Sequence, residues 1–115
     1  MANQNGVLNP YTNFWLHLAS GEKYTGTISS NRFLGTKLTI VPLQLVMETE
    51  LDQLGFEPTW KHIRPTEKFV FEGCRLIADK SNGLKRIYKS MAGDTISLSS
   101  LEKDVNGISA ILKQR

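Results

Sequence analysis

The chain contains a single cysteine, Cys74, and only two histidines in 115 residues. One thiol cannot close an internal disulfide, so the fold has to be held by its core rather than by cross-links. His17 and His62 lie far apart, and neither Cys-x-x-Cys nor His-x-x-x-His spacing occurs. That leaves no ligand set for zinc and no cofactor signature. No apolar run approaches the roughly 18 residues that cross a bilayer as a helix, and no membrane contact is expected. The first ten residues, Met1-Ala-Asn-Gln-Asn-Gly-Val-Leu-Asn-Pro10, lack the basic and apolar regions of a secretory signal. They read as a loose polar arm, taken here as 1–12, and the chain reads as cytoplasmic.

Catalytic signatures are missing as well. There is no Gly-x-Ser-x-Gly, no P-loop and no Gly-x-Gly-x-x-Gly after a strand. His17 has Ser20 nearby, but strand alternation does not make them a nucleophile and base pair. Glu48, Glu50 and Asp52 form the only acidic cluster and read as a solvated face, with no further ligand to make a metal site. The chain is therefore expected to bind rather than to catalyse.

What is present is enough for one packed domain over 13–115. Hydrophobic residues make up 40% and charged residues 22%, which excludes a disordered polyampholyte. Fourteen Lys and Arg against eleven Asp and Glu give a net charge of +3, a mild bias toward polyanionic partners.

The strongest pattern is period two. Phe14, Leu16 and Leu18 alternate with Trp15, His17 and Ala19, which predicts a half-buried strand. Ala19-Ser-Gly-Glu22 makes a turn, and Lys23 to Ser30 a second strand, with Gly26 marking a bend, a bulge or a close backbone approach. Asn31-Arg-Phe-Leu-Gly35 reads as the next turn, and Leu38 to Pro42 as the end of a third strand. Leu43, Val46, Met47, Leu51 and Leu54 then fall at helical spacing, so a short amphipathic helix or acidic loop is expected, followed by an extended connector to Pro65. Lys68 to Ile77, with Cys74 as a buried inert thiol, reads as one strand, bulged at Gly73. Asn82-Gly83 marks a hairpin, Leu84 to Met91 a strand, and Thr95 to Leu98 another. Ser99-Ser-Leu-Glu102 has the form of a capping box over one helical turn, and Ile108, Ile111 and Leu112 of a closing strand or tail. The fold class is mainly β with minor α: a small barrel or two packed antiparallel sheets, with a helical or loop insertion over about residues 43–65.

Leu18-Ala-Ser-Gly-Glu-Lys-Tyr-Thr-Gly-Thr-Ile-Ser-Ser30 resembles the first motif of Sm-like proteins, which runs Leu-x-x-Gly-x-x-hydrophobic-x-Gly-x-hydrophobic. Leu18, Gly21, Tyr24, Gly26 and Ile28 carry the match. The resemblance implies an SH3-like barrel, RNA binding and assembly of copies through edge strands. The family's RNA-base pocket begins with an Asp after the second strand. Asn31-Arg-Phe-Leu-Gly-Thr36 has none, so no contact residue carries over.

The candidate binding residues are basic and aromatic. Lys80, Lys85 and Arg86 gather around the Asn82-Gly83 hairpin, with Arg75 before it and Tyr88 after it. Lys61, His62, Arg64 and Lys68 flank Trp60, and Arg32 lies in the expected second turn. Cations beside aromatics suit phosphate contact with base stacking. The plainer reading is that the lysines keep an edge strand soluble. The expected function is a non-enzymatic module, homo-oligomeric, that binds nucleic acid or a nucleotide-like anion. The alternative is a small protein-interaction module of phage or mobile-element type that binds and inhibits a larger host protein.

Overall fold

The computed structural model describes residues 7–8, 11–51, 58–64, 68–101 and 108, and the side chains of 11–48, 59–64, 68–101 and 108. The strands are β1 (Val7–Leu8), β2 (Asn13–His17), β3 (Lys23–Leu34), β4 (Lys37–Leu51), β5 (Pro58–Ile63), β6 (Phe69–Phe71), β7 (Arg75–Lys80), β8 (Lys85–Lys89) and β9 (Thr95–Ser99). All pair antiparallel in one sheet, in the order β5-β4-β3-β2-β9-β8-β7, with β1 on β3 and β6 on β4. The mainly β class is as expected, and the sheet is continuous rather than two separate ones.

The sheet curls because its two longest strands bend together. Pairing of β3 with β4 shifts register between Thr27 and Ile28 and again between Ile28 and Ser30. Such bulges raise local twist and turn the strands. Before them Tyr24 and between them Ile28 pack on the core; after them Asn31 and Phe33 point inward. The first half of β4 carries β6, and the second half carries β5. The core collects Phe14, Leu16, Leu38, Ile40, Ile96 and Leu98, all nearly or fully buried. Phe69 meets Tyr24 at 5.4 Å and Phe14 at 6.2 Å between ring centroids. Phe33 on β3 meets Tyr88 on β8 at 5.1 Å, which draws remote strands of the path together as in a small barrel. The Cys74 amide donates to the Thr36 carbonyl at 2.9 Å, and the Met91 amide to the Glu72 carbonyl at 3.0 Å, fastening the link between β6 and β7 to the β3–β4 and β8–β9 turns.

Four local expectations are corrected. Residues 43–51 are strand, not helix or loop: β4 runs on through Pro42, which sits opposite Ile28 at the bulge and so withholds no regular ladder donor. Residues 58–63, expected as connector, are a paired strand on β4. Asn31 to Leu34 continue β3, and the turn comes at Gly35–Thr36. Lys68 to Ile77 is two strands, parted where Gly73 takes a φ of +65°. Within the segment expected to be a loose arm, Val7–Leu8 pair with Phe33 and Arg32, and Tyr11 is buried, its hydroxyl donating to the Gly83 carbonyl at 2.8 Å. Ser99 Oγ accepts from the Leu101 amide at 3.0 Å, as an N-cap would. Residues 102–107, where the capped turn was expected, and 109–115 lie outside the described residues, whereas Ile108 is helical and fully buried.

Burial pushes the phenols of Tyr11 and Tyr24 and the thiol of Cys74 above their ordinary values of 10.0 and 9.0, with Glu22 adding to the effect at Tyr24. Near and above those values the folded chain holds protons that the unfolded chain has released. Stability is therefore fully present at lower pH and falls as pH rises through this range. Urea midpoints should be level from neutrality to about pH 8.5 and decline above it. Tyr11→Phe, which loses both the bond to Gly83 and the titrating phenol, should come closer to the parent as the pH rises. A constant difference between the two would refute the Tyr11 contribution.

Candidate functional site

Two concavities lie on the face of the sheet that points away from the core. The first is built by alternation on β2, β3, β4 and β5. Register places Trp15, Thr25, Val46 and His62 in one row across these strands. Glu48 and Trp60 stand opposite each other two residues along, beside His17 and Lys23. Trp15 and Trp60 come from strands with β3 and β4 between them, yet their ring centroids are 5.8 Å apart at an interplanar angle of 76°. To meet, the two indoles must lean inward across Thr25 and Val46. That is why Thr25 and Val46 have 0% exposure on the face opposite the core, and why Val46 is not part of the main core cluster. Thr25 also donates its hydroxyl to the Phe14 carbonyl at 2.7 Å. The cleft beside the indoles has a volume of about 210 Å³ and is lined by Trp15, His17, Lys23, Glu48, Trp60 and Ser97 among others. Lys23 and Glu48 form an ion pair of 3.5 Å at its rim, too exposed to add much stability. The Ser97 hydroxyl is enclosed and has no hydrogen-bond partner among the described residues.

The second concavity is cationic. Across the β3–β4 hairpin, Ser30 pairs with Val41, Arg32 with Thr39 and Leu34 with Lys37. Their partners in the chain, Asn31, Phe33, Leu38 and Ile40, are turned to the core, so these six face outward. Lys68, just before β6, joins them to line a groove of about 310 Å³. Three cations and two hydroxyls therefore converge, with no carboxylate among the described residues of the lining. Among the described residues no ion pair engages Arg32, Lys37 or Lys68. An uncompensated cluster of this kind, flanked by hydroxyl donors, suits phosphate oxygens.

The residues singled out from sequence are scattered between these places. Arg32 lies in the groove. Trp60 lies in the indole cleft, while Lys61, its neighbour along the strand, points to the other face, and Arg64 follows the end of β5. Arg75 and Lys80 are exposed at the two ends of β7, and Lys85 stands opposite Lys80. Arg86 is ion-paired to Asp79 at 3.4 Å, and Tyr88, on the same strand, is buried against Phe33. The hairpin residues thus do not gather into one surface. Lys37 was not singled out, and Lys68 was grouped with Trp60 rather than with Arg32. No family model, curated protein or solved structure matches the chain.

Proposed function

We propose that the protein is a non-enzymatic binding module for nucleic acid, held by its phosphates in the groove between Arg32, Lys37 and Lys68. The convergence of three cations, none ion-paired among the described residues, with Ser30 and Thr39 on one sheet face carries this reading. The net charge of +3 and the Sm-like resemblance of residues 18–30 point the same way. Fluorescence anisotropy with a labelled oligonucleotide across a salt series tests it. Affinity should fall steeply with salt, and the triple variant R32A/K37A/K68A should flatten the log–log slope by about 2, the share of three phosphate contacts. The double variant K80A/K89A, on the other hairpin, should leave the slope unchanged. No binding at low salt, or a triple variant with the parent's slope, would refute the proposal.

A protein-docking reading has one observation in its favour. Among the described residues β7 ends the sheet path with β8 as its neighbour, and it exposes Leu76 and Ile77. Free strand edges of this kind accept further strands. A second copy adding there would give the homo-oligomer expected from sequence, and light scattering over a dilution series reads it directly: a constant monomer mass excludes it.

A further inference from the structure

We propose that the Trp15–Trp60 cleft receives an unstacked base of the strand whose phosphates the cationic groove holds, so that the ligand is single-stranded rather than duplex. The inference rests on the preceding reading and narrows it. The cleft is small and mostly apolar, of a size for one planar ring system rather than a helix or a strand of protein. In an edge-to-face pair the edge-on indole keeps its faces free of its partner, and an aromatic face is a sequence-tolerant platform for a base. The rim supplies a donor and an acceptor together, the Lys23 ammonium and the Glu48 carboxylate, which a base edge can meet. The Ser97 hydroxyl in the same lining has no hydrogen-bond partner among the described residues.

Continuity supplies the occupant. Ser30 and Val41 in the groove lie on the same outward face of the same two strands as Thr25 and Val46 beneath the indoles. Five residues of strand separate them, at most about 17 Å. A flexible strand can cross that gap, setting phosphates in one concavity and a base in the other. A duplex keeps its bases stacked and paired, and so has none to offer.

The test uses the intact protein with labelled oligo(dT), the same strand annealed to oligo(dA), and inorganic polyphosphate, with indole fluorescence as a second readout. Oligo(dT) should quench the indole emission. Trp60→Leu keeps an apolar cover over Val46 but removes the ring. It should weaken oligo(dT) binding about tenfold and leave polyphosphate binding unchanged. Trp60→Phe should restore most of the loss. Far-ultraviolet circular dichroism confirms that each variant is folded. Should Trp60→Leu bind oligo(dT) as the parent does while R32A/K37A/K68A does not, the base site is refuted and the phosphate groove stands. Equal affinity for duplex and single strand also refutes the base site. Failure of all three probes to bind at low salt removes both readings.

Discussion

Gly26→Ala is expected to cost about 4 kcal/mol or more, most of the stability of a domain this size. A Cβ at position 26 would stand 1.9 Å from the Gln44 carbonyl oxygen, 2.9 Å from its carbon and 3.2 Å from the Leu45 Cα. All three are backbone atoms, so no side chain can swing away. Relief requires β3 and β4 to separate at Gly26–Leu45, beside the bulge that bends the sheet. Those strands carry β1, β2, β5 and β6 between them, so a local parting cannot stay local. Urea denaturation measures the loss. Gly21→Ala is the control: Gly21 also has a positive φ, +101°, but nothing lies within 4 Å of its missing Cβ. That variant should cost only the conformational strain, about 1–2 kcal/mol. Comparable losses at the two positions would show that the close approach at Gly26 is not what fixes this glycine.

The first hairpin was legible because one of its faces is core and the other is largely not. Phe14 and Leu16 point inward and His17 outward, so alternation is written plainly. Gly26 was legible as a special glycine, with close backbone approach one of three readings beside a bend and a bulge. β4 was not, and the reason is its burial on both faces. Leu45 faces the core while its neighbour Val46 is covered by the indoles, and Met47 is half-buried beyond them. Three consecutive apolar residues, with Leu43 before and Leu51 after, imitate a helical stripe. The cover that explains them, Trp60, lies in a segment whose two prolines, Pro58 and Pro65, read as connector. Pro58 begins β5, where a missing amide matters little. The cationic groove was missed through a turn placed too early. Once the turn is at Gly35–Thr36, alternation alone sets Arg32 diagonal to Lys37 on the outer face. Lys68 could not be added from sequence, because its place depends on β6 returning to pair with Leu38–Ile40.

Val46→Asp should cost about 3–5 kcal/mol, the range for a buried charge left without a partner. Position 46 faces away from the main core, where a carboxylate on an ordinary solvated sheet face would be tolerated. Here the indoles of Trp15 and Trp60 close over it, and the nearest cation in the cleft, Lys23, is already paired with Glu48. The carboxylate must either remain dehydrated or lift the roof to reach water. Lifting the roof would expose the indoles, so their emission should shift to the red along with the loss of stability. Leu43→Asp, on the same strand but 61% exposed, should change stability by no more than about 0.5 kcal/mol. A helical segment with Leu43, Val46 and Met47 on one buried stripe would make the two aspartates comparably damaging. The strand makes them differ several-fold, so equal losses at 43 and 46 would overturn both the strand and the indole roof above it.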